Sequence, residues 1–281
     1  MNKIISYLKL TRPGNNLIVA LSVLMGALVT KELIPWSKVI LACLSASFIS
    51  GGGNAINDYF DIQIDKINKP QRPLPKGEIS SKNALWFSLL LFFIGIFLSI
   101  LIRPMALILA VFAVLGLIFY SAYLKKRFFW GNFLVSLICG LAFIYGGITT
   151  QDFRLSLIPA IFAFLFHWGR EIIKDIQDLR GDLVYQAETF PIKLGIKPSL
   201  IFTTFIFSLL ILFTFLPYLL GIFSWLYLIV VVLGVDLVLI YVLFSSWRDS
   251  SFKNLGRLSF ILKIDMLLGL AAIYVGSLKP V

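Results

Sequence analysis

From Pro198 to Val235 no residue carries a charge. Such a run does not form the surface of a soluble domain, and it is too long for one membrane span, which takes about 20 apolar residues. Pro217-Tyr218-Leu219-Leu220-Gly221 offers the break, since Pro and Gly punctuate helices. The run therefore predicts two helices, at 198–216 and 222–245. Further apolar runs at 13–30, 39–57, 83–102, 104–124, 128–151, 155–176 and 256–277 bring the expected total to nine. Only 14% of the 281 residues are charged, against about 25% in soluble domains. The expected class is all-α, a polytopic membrane bundle, with residues 1–281 as a single domain. No cleavable signal peptide is expected, because the first apolar run is long enough to span.

Charge placement orients the bundle. With the N-terminus inside, Lys31, Lys38, Arg103, Arg154 and Lys279 fall outside and Lys263 lies within the last span, so 19 of the 25 Lys and Arg fall inside. That bias follows the positive-inside rule and predicts a multi-pass cell-membrane protein with a cytoplasmic N-terminus. The net charge of +11 is chiefly topological, the remainder serving anionic substrates and lipid headgroups; no nucleic acid partner is expected. A single His and two Cys without a CxxC spacing argue against His- or Cys-ligated metals, Ser-His triads and a disulfide framework.

Two long polar connections, at about 58–82 and 177–197, are separated by four helices, so they share the cytoplasmic face. Each adjoins an acidic cluster, and together the clusters form a cap over the bundle. In Asn57-Asp58-Tyr59-Phe60-Asp61-Ile62-Gln63-Ile64-Asp65, the residues Asn57, Asp61 and Asp65 stack on one helical face, with Asp58 bordering it. In the second cluster Glu171, Asp175, Asp178 and Asp182 do the same. These seven acids are half of the chain's 14. Stacked carboxylates repel, and hard oxygen donors without His or Cys suit Mg²⁺, which binds through a few carboxylates together with substrate phosphates. The expected metal ligands are Asp61, Asp65, Asp178 and Asp182, with Asn57 and Asp175 supporting. Lys66, Lys69, Arg72 and Lys76 in a Pro-stiffened loop, Lys125 and Lys126, and Arg170 and Lys174 are the candidate phosphate-binding cations, with Asp58 counted beside them at the substrate.

Other features have plainer readings. Gly51-Gly52-Gly53 suits close helix packing. His167, near the end of its span, reads as a packing residue. Asp236 and Lys263, both inside spans, are expected to pair with each other.

The motifs Asn57-Asp58-x-x-Asp61-x-x-x-Asp65, Arg72-Pro73-Leu74-Pro75-Lys76-Gly77 and Asp175-x-x-Asp178-x-x-x-Asp182 resemble those of the UbiA superfamily of intramembrane prenyltransferases. The resemblance covers essentially the whole chain and implies a nine-helix bundle that binds Mg²⁺ and a prenyl diphosphate. It also implies a Tyr near the prenyl chain shortly before a Lys; Tyr120 and Tyr123, ahead of Lys125 and Lys126, both match. The segments Ile64–Pro75, Arg170–Asp175 and Glu188–Ile192 resemble the archaeal ether-lipid branch. That likeness implies transfer of a geranylgeranyl group onto a lipid-phosphate acceptor, geranylgeranylglyceryl phosphate. An aromatic acceptor such as 4-hydroxybenzoate is the alternative within the superfamily. A cation transporter or channel is the alternative outside it.

Overall fold

The computed structural model describes residues 3–278; Lys279, counted above in the charge bias, lies outside them. All elements among the described residues are helical. In chain order they are α1 (Lys3–Thr11), α2 (Pro13–Leu28), α3 (Trp36–Phe60), α4 (Ile62–Asn68), α5 (Ser81–Ile100), α6 (Pro104–Ala122), α7 (Trp130–Gly147), α8 (Leu157–Val184), α9 (Phe190–Leu194), α10 (Ile196–Leu219), α11 (Trp225–Val231), α12 (Leu237–Arg248) and α13 (Phe252–Leu278). A π-helical turn at Val232–Asp236 joins α11 to α12 as one continuous span.

Among the described residues eight helices are long and apolar enough to cross a membrane: α3, α5, α6, α7, α8, α10, α11–α12 and α13. The shorter apolar helix α2 is the ninth segment expected from sequence. The predicted break after α10 is present. Pro217 occupies the last turn and Gly221 adopts φ 66°, a left-handed conformation that costs glycine nothing. Pro13 and Pro104 open α2 and α6, where the missing N–H has no helical partner to lose.

Two apolar cores flank α2 and α7. One joins Ile49, Phe92, Ala110 and Val114 of α3, α5 and α6 to Val23 and Tyr145. The other joins Phe166, Phe207, Tyr227, Leu239 and Leu258 of α8 and α10–α13. Where α2 crosses α7 the backbones nearly touch: a Cβ on Gly146 would fall 1.8 Å from the Val23 carbonyl, and one on Gly26 would fall 1.9 Å from the Phe143 carbonyl. Close approach through small residues is how helices associate where lipid offers no hydrophobic drive. Phe93, Ile108, Leu115, Leu212, Leu233 and Phe244 point outward, as a lipid-facing surface requires. Gly52 and Gly53 serve packing as expected, against Phe92 and Leu117.

Two expectations are corrected. The acids do not sit in connections. The first cluster spans the end of α3 and α4, and the second lies on α8, which runs on to Val184 rather than stopping near 176. Both clusters therefore lie on helices, as their spacing predicts, and the cap of two connections is replaced by α4 and the last turns of α8. Nor does Asp236 pair with Lys263. The Thr214 hydroxyl of α10 lies 3.1 Å from its carboxylate, and Lys263 faces a different space, described below.

Candidate active site

The first acidic motif survives a break in its helix. Asp61 leaves regular helical geometry (φ −93°, ψ 3°), yet its N–H still donates to the Asn57 carbonyl at 3.0 Å and its carbonyl accepts from the Asp65 N–H at 2.8 Å. Asn57, Asp61 and Asp65 therefore stay in register. The second motif rides on α8, and α4 packs directly on it. Asn68 donates to the Asp178 carbonyl at 3.2 Å, and a Cβ on Gly181 would come within 2.4 Å of the Asn68 amide. Gly181 is thus what lets the two acidic helices meet.

Asp58, Asp61 and Asp65 are each only 2% exposed, and buried carboxylates need partners. Lys125 supplies one for Asp61 and Arg12 one for Asp58. Arg72 bridges Asp65 at 2.6 Å and Asp58 at 2.9 Å. Across the gap Lys69 reaches Asp178 at 2.6 Å, so the loop after the first motif is tied to the second. Asn132 of α7 donates to Asp175 at 2.7 Å, and Lys174 holds Glu171 at 2.6 Å. Burial pushes the Asp65 carboxyl above its ordinary value, against the pull of Arg72. Burial also works against charge on Arg72 and Lys125. The carboxylates of Asp58 and Asp65 around Arg72, and of Asp61 beside Lys125, outweigh it, and both cations titrate above their ordinary values. They stay charged at any physiological pH.

These groups close the polar end of a cavity of about 520 Å³, within the range of ligand pockets. Asn57, Asp61, Asp65, Lys69, Arg72, Lys125, Lys126, Arg170, Lys174, Asp175, Asp178 and Asp182 all line it. Deeper in, the wall is apolar, with Ile49, Leu109, Leu117, Val135, Ile138 and Met266. Tyr120, buried at the end of α6, lines the cavity, whereas Tyr123 stacks on Phe119 and under Arg127 at the exterior. That separates the two tyrosines, which sequence left open. Asp58 does not line the cavity; it holds Arg12 and Arg72 from behind. Lys66 and Lys76 are exposed and do not line it either. His167 is a lining residue, as is Lys263.

Sequence reasoning missed Arg12, Asn132 and Lys263. Asn132 stands alone in an apolar helix, and an isolated amide in a span is the signal that points to such a role. Arg12 precedes Pro13 and takes a left-handed φ of 53°, which turns it back toward Asp58.

Among the described residues no three carboxylate, imidazole or thiol groups stand together as a ready-made metal cage, because the chain's own cations occupy the acids. The donors nonetheless fit a hard divalent ion. They are all oxygens, they come from two facing helices, and Asp178 Oδ1 is buried without a hydrogen-bond partner.

The chain is similar over nearly its whole length to proteins named digeranylgeranylglyceryl phosphate synthase. The one from Methanosphaera stadtmanae is 35% identical, covering 97% of this chain and 99% of the relative. That from Methanocaldococcus jannaschii is 37% identical, covering 99% and 98%. A solved structure of a digeranylgeranylglyceryl phosphate synthase superposes with a TM-score of 0.79 at 37% identity, covering 99% of this chain and all of the other. A UbiA homologue from Archaeoglobus fulgidus bound to GPP and Mg²⁺ shares the fold, with a TM-score of 0.68 at 17% identity, covering 95% and 99%. The UbiA prenyltransferase family matches residues 18–264, and this excludes the transporter reading: the chain is a multi-pass membrane prenyltransferase belonging to the UbiA prenyltransferase family.

Proposed function

We propose that this protein transfers a geranylgeranyl group from geranylgeranyl diphosphate to the free glycerol hydroxyl of geranylgeranylglyceryl phosphate. The products are digeranylgeranylglyceryl phosphate and diphosphate, so the reaction builds archaeal ether lipid. The observation that carries this reading is one cavity with an apolar body and a polar end walled by two facing acidic helices. The relatives at 35–37% identity support the choice of acceptor. All of residues 1–281 act as one domain, with the N-terminus and the acidic helix ends at the cytoplasmic face.

Asp61, Asp65, Asp178 and Asp182 would hold Mg²⁺, with Asn57 and Asp175 in support. When bound, the ion neutralises negative charge gathering on the departing diphosphate. The chain's residues do the rest. Lys69, Arg72 and Lys125, already charged and within reach, turn from the carboxylates onto phosphate oxygens. Lys126 joins them from the rim. The prenyl tail lies in the apolar body. The allylic C–O bond breaks with its electron pair leaving on diphosphate, and the electron-poor carbon faces the Tyr120 ring, as cations favour aromatic faces. The surrounding helices keep out water that would otherwise take the prenyl group. The glycerol hydroxyl oxygen bonds to that carbon, and its proton passes to a carboxylate at the polar end.

Diphosphate release tests the reading. With geranylgeranyl diphosphate and Mg²⁺, release is expected to rise steeply on adding geranylgeranylglyceryl phosphate and to be unaffected by 4-hydroxybenzoate. Stimulation by the aromatic acid alone would overturn the acceptor assignment and leave an aromatic prenyltransferase in its place.

A further inference from the structure

The cavity has a second polar wall that the diphosphate does not need. On α8, at roughly 100° per residue, Glu171, Asp175, Asp178 and Asp182 form one stripe. Arg170, Lys174 and Gln177 form another, roughly 60–120° around the helix. The second stripe faces α13, where a Cβ on Gly256 would meet the Gln177 amide nitrogen at 3.3 Å. As the sixth and ninth spans, α8 and α13 run antiparallel. Two turns deeper from the 177–256 contact, the pair at one level is Arg170 and Lys263.

Lys263 belongs to no carboxylate there. The charged groups acting on it are Arg170 and Arg12, both cations. Its Nζ lies 3.6 Å from where a Cβ on Gly14 would stand, so the first turn of α2 closes the third side. Arg170 Nε is buried with no hydrogen-bond partner, while one of its terminal nitrogens donates to Glu171 at 3.1 Å. Arg12, Arg170 and Lys263 all line the cavity. Arg12 is paired with Asp58 and Arg170 with Glu171, which leaves Lys263 as the cation of the three without a carboxylate of its own, and a charge within an apolar bundle calls for a partner.

We propose that Lys263 and Arg170, flanked by Arg12, form a separate subsite for a phosphate monoester, the headgroup of the acceptor lipid. This rests on the acceptor reading above. Along α8, ~12 Å separates Asp178 from Arg170, enough for the reacting carbon and the glycerol hydroxyl to lie between a diphosphate at one seat and a monoester at the other. The separation explains how one cavity takes two phosphorylated lipids without confusing them. The acids flank the diphosphate, which arrives with a metal, whereas the monoester meets Lys263 and Arg170, with the one nearby acid, Glu171, already held by Arg170 and Lys174.

The test is steady-state kinetics on the full-length protein in lipid, with Lys263→Met, Lys263→Arg and Arg170→Gln. Losing a charged hydrogen bond to phosphate raises KM for geranylgeranylglyceryl phosphate about 10- to 100-fold. Lys263→Met is expected to do this while KM for geranylgeranyl diphosphate stays within about twofold, and Lys263→Arg to retain most of the affinity. Geranylgeranylglycerol, which lacks the phosphate, is expected to be used equally poorly by wild type and Lys263→Met. Arg170→Gln, on a different helix, gives an independent reading of the same shift. An unchanged acceptor KM in both neutral variants, or a matching rise in KM for the diphosphate, overturns the subsite. Failure of the wild type to use geranylgeranylglyceryl phosphate at all would instead overturn the acceptor reading on which the subsite rests.

Discussion

At the polar end Asp58, Asp61, Asp65, Glu171, Asp175 and Asp178 are each held by a named partner, and loss of an acid and loss of its partner have different consequences. Replacing Asp61 or Asp178 with Ala removes a cation's partner and a proposed ligand of the metal. Charge stabilisation of this kind is worth several kcal/mol, so turnover is expected to fall by about a thousandfold or more while the protein still purifies as a folded membrane species; residual activity near wild type in both variants would contradict the assignment. Asn132→Ala frees Asp175 without touching the proposed metal ligands, and a 10- to 100-fold loss in kcat/KM is expected from such a supporting contact. Asp265 behaves differently. It is buried and neither carboxyl oxygen has a partner. Asp265→Leu removes this unpartnered polar group from the interior at similar shape, and thermal unfolding in detergent is expected to show a gain of about 1–3 kcal/mol. At this scale the acidic motifs were legible, because their spacing repeats the helical period. Arg12 and Lys263 were not. A lone charge in or beside an apolar run shows the need for a partner but not which helix provides it. Lys263 was assigned to Asp236 on the cost of burying charge, whereas Thr214 satisfies that acid through a hydroxyl that no charge pattern reveals.

Among the elements, the crossing of α2 and α7 and the contact of α4 with α8 set the site. Gly146 and Gly26 bring two backbones together where α2 crosses α7. Gly146→Val forces a side chain into the Val23 carbonyl, and destabilisation of about 1–3 kcal/mol or more is expected, read as a lower unfolding midpoint. Gly181→Val acts on function instead. It pushes Asn68 off α8 and parts the two motifs, so activity is expected to fall more than stability does. Helix number and the break at Pro217–Gly221 were readable because apolar length and Pro–Gly chemistry are local properties. The extension of α8 to Val184 was not. Hydropathy marks where lipid ends, and a helix that continues into water carries the same polar residues as a loop.

For the molecule as a whole, topology turns two distant sequence motifs into one site. The four spans between them return the chain to the same face, which the proposed orientation puts in the cytoplasm. A single Cys at Glu78, with Cys43 and Cys139 replaced by Ser, is therefore expected to react with a membrane-impermeant maleimide only in inside-out vesicles, and one at Glu32 only in right-side-out cells; the reverse pattern would invert the orientation. The most direct measurement of the whole account is product identification. Purified protein is incubated with geranylgeranyl diphosphate, geranylgeranylglyceryl phosphate and Mg²⁺, and the lipid extract is read by mass spectrometry. The account predicts digeranylgeranylglyceryl phosphate, absent when the metal is chelated and absent in Asp61→Ala and Asp178→Ala. A wild-type extract holding only unreacted substrates, or product formed equally well by both variants, would contradict it.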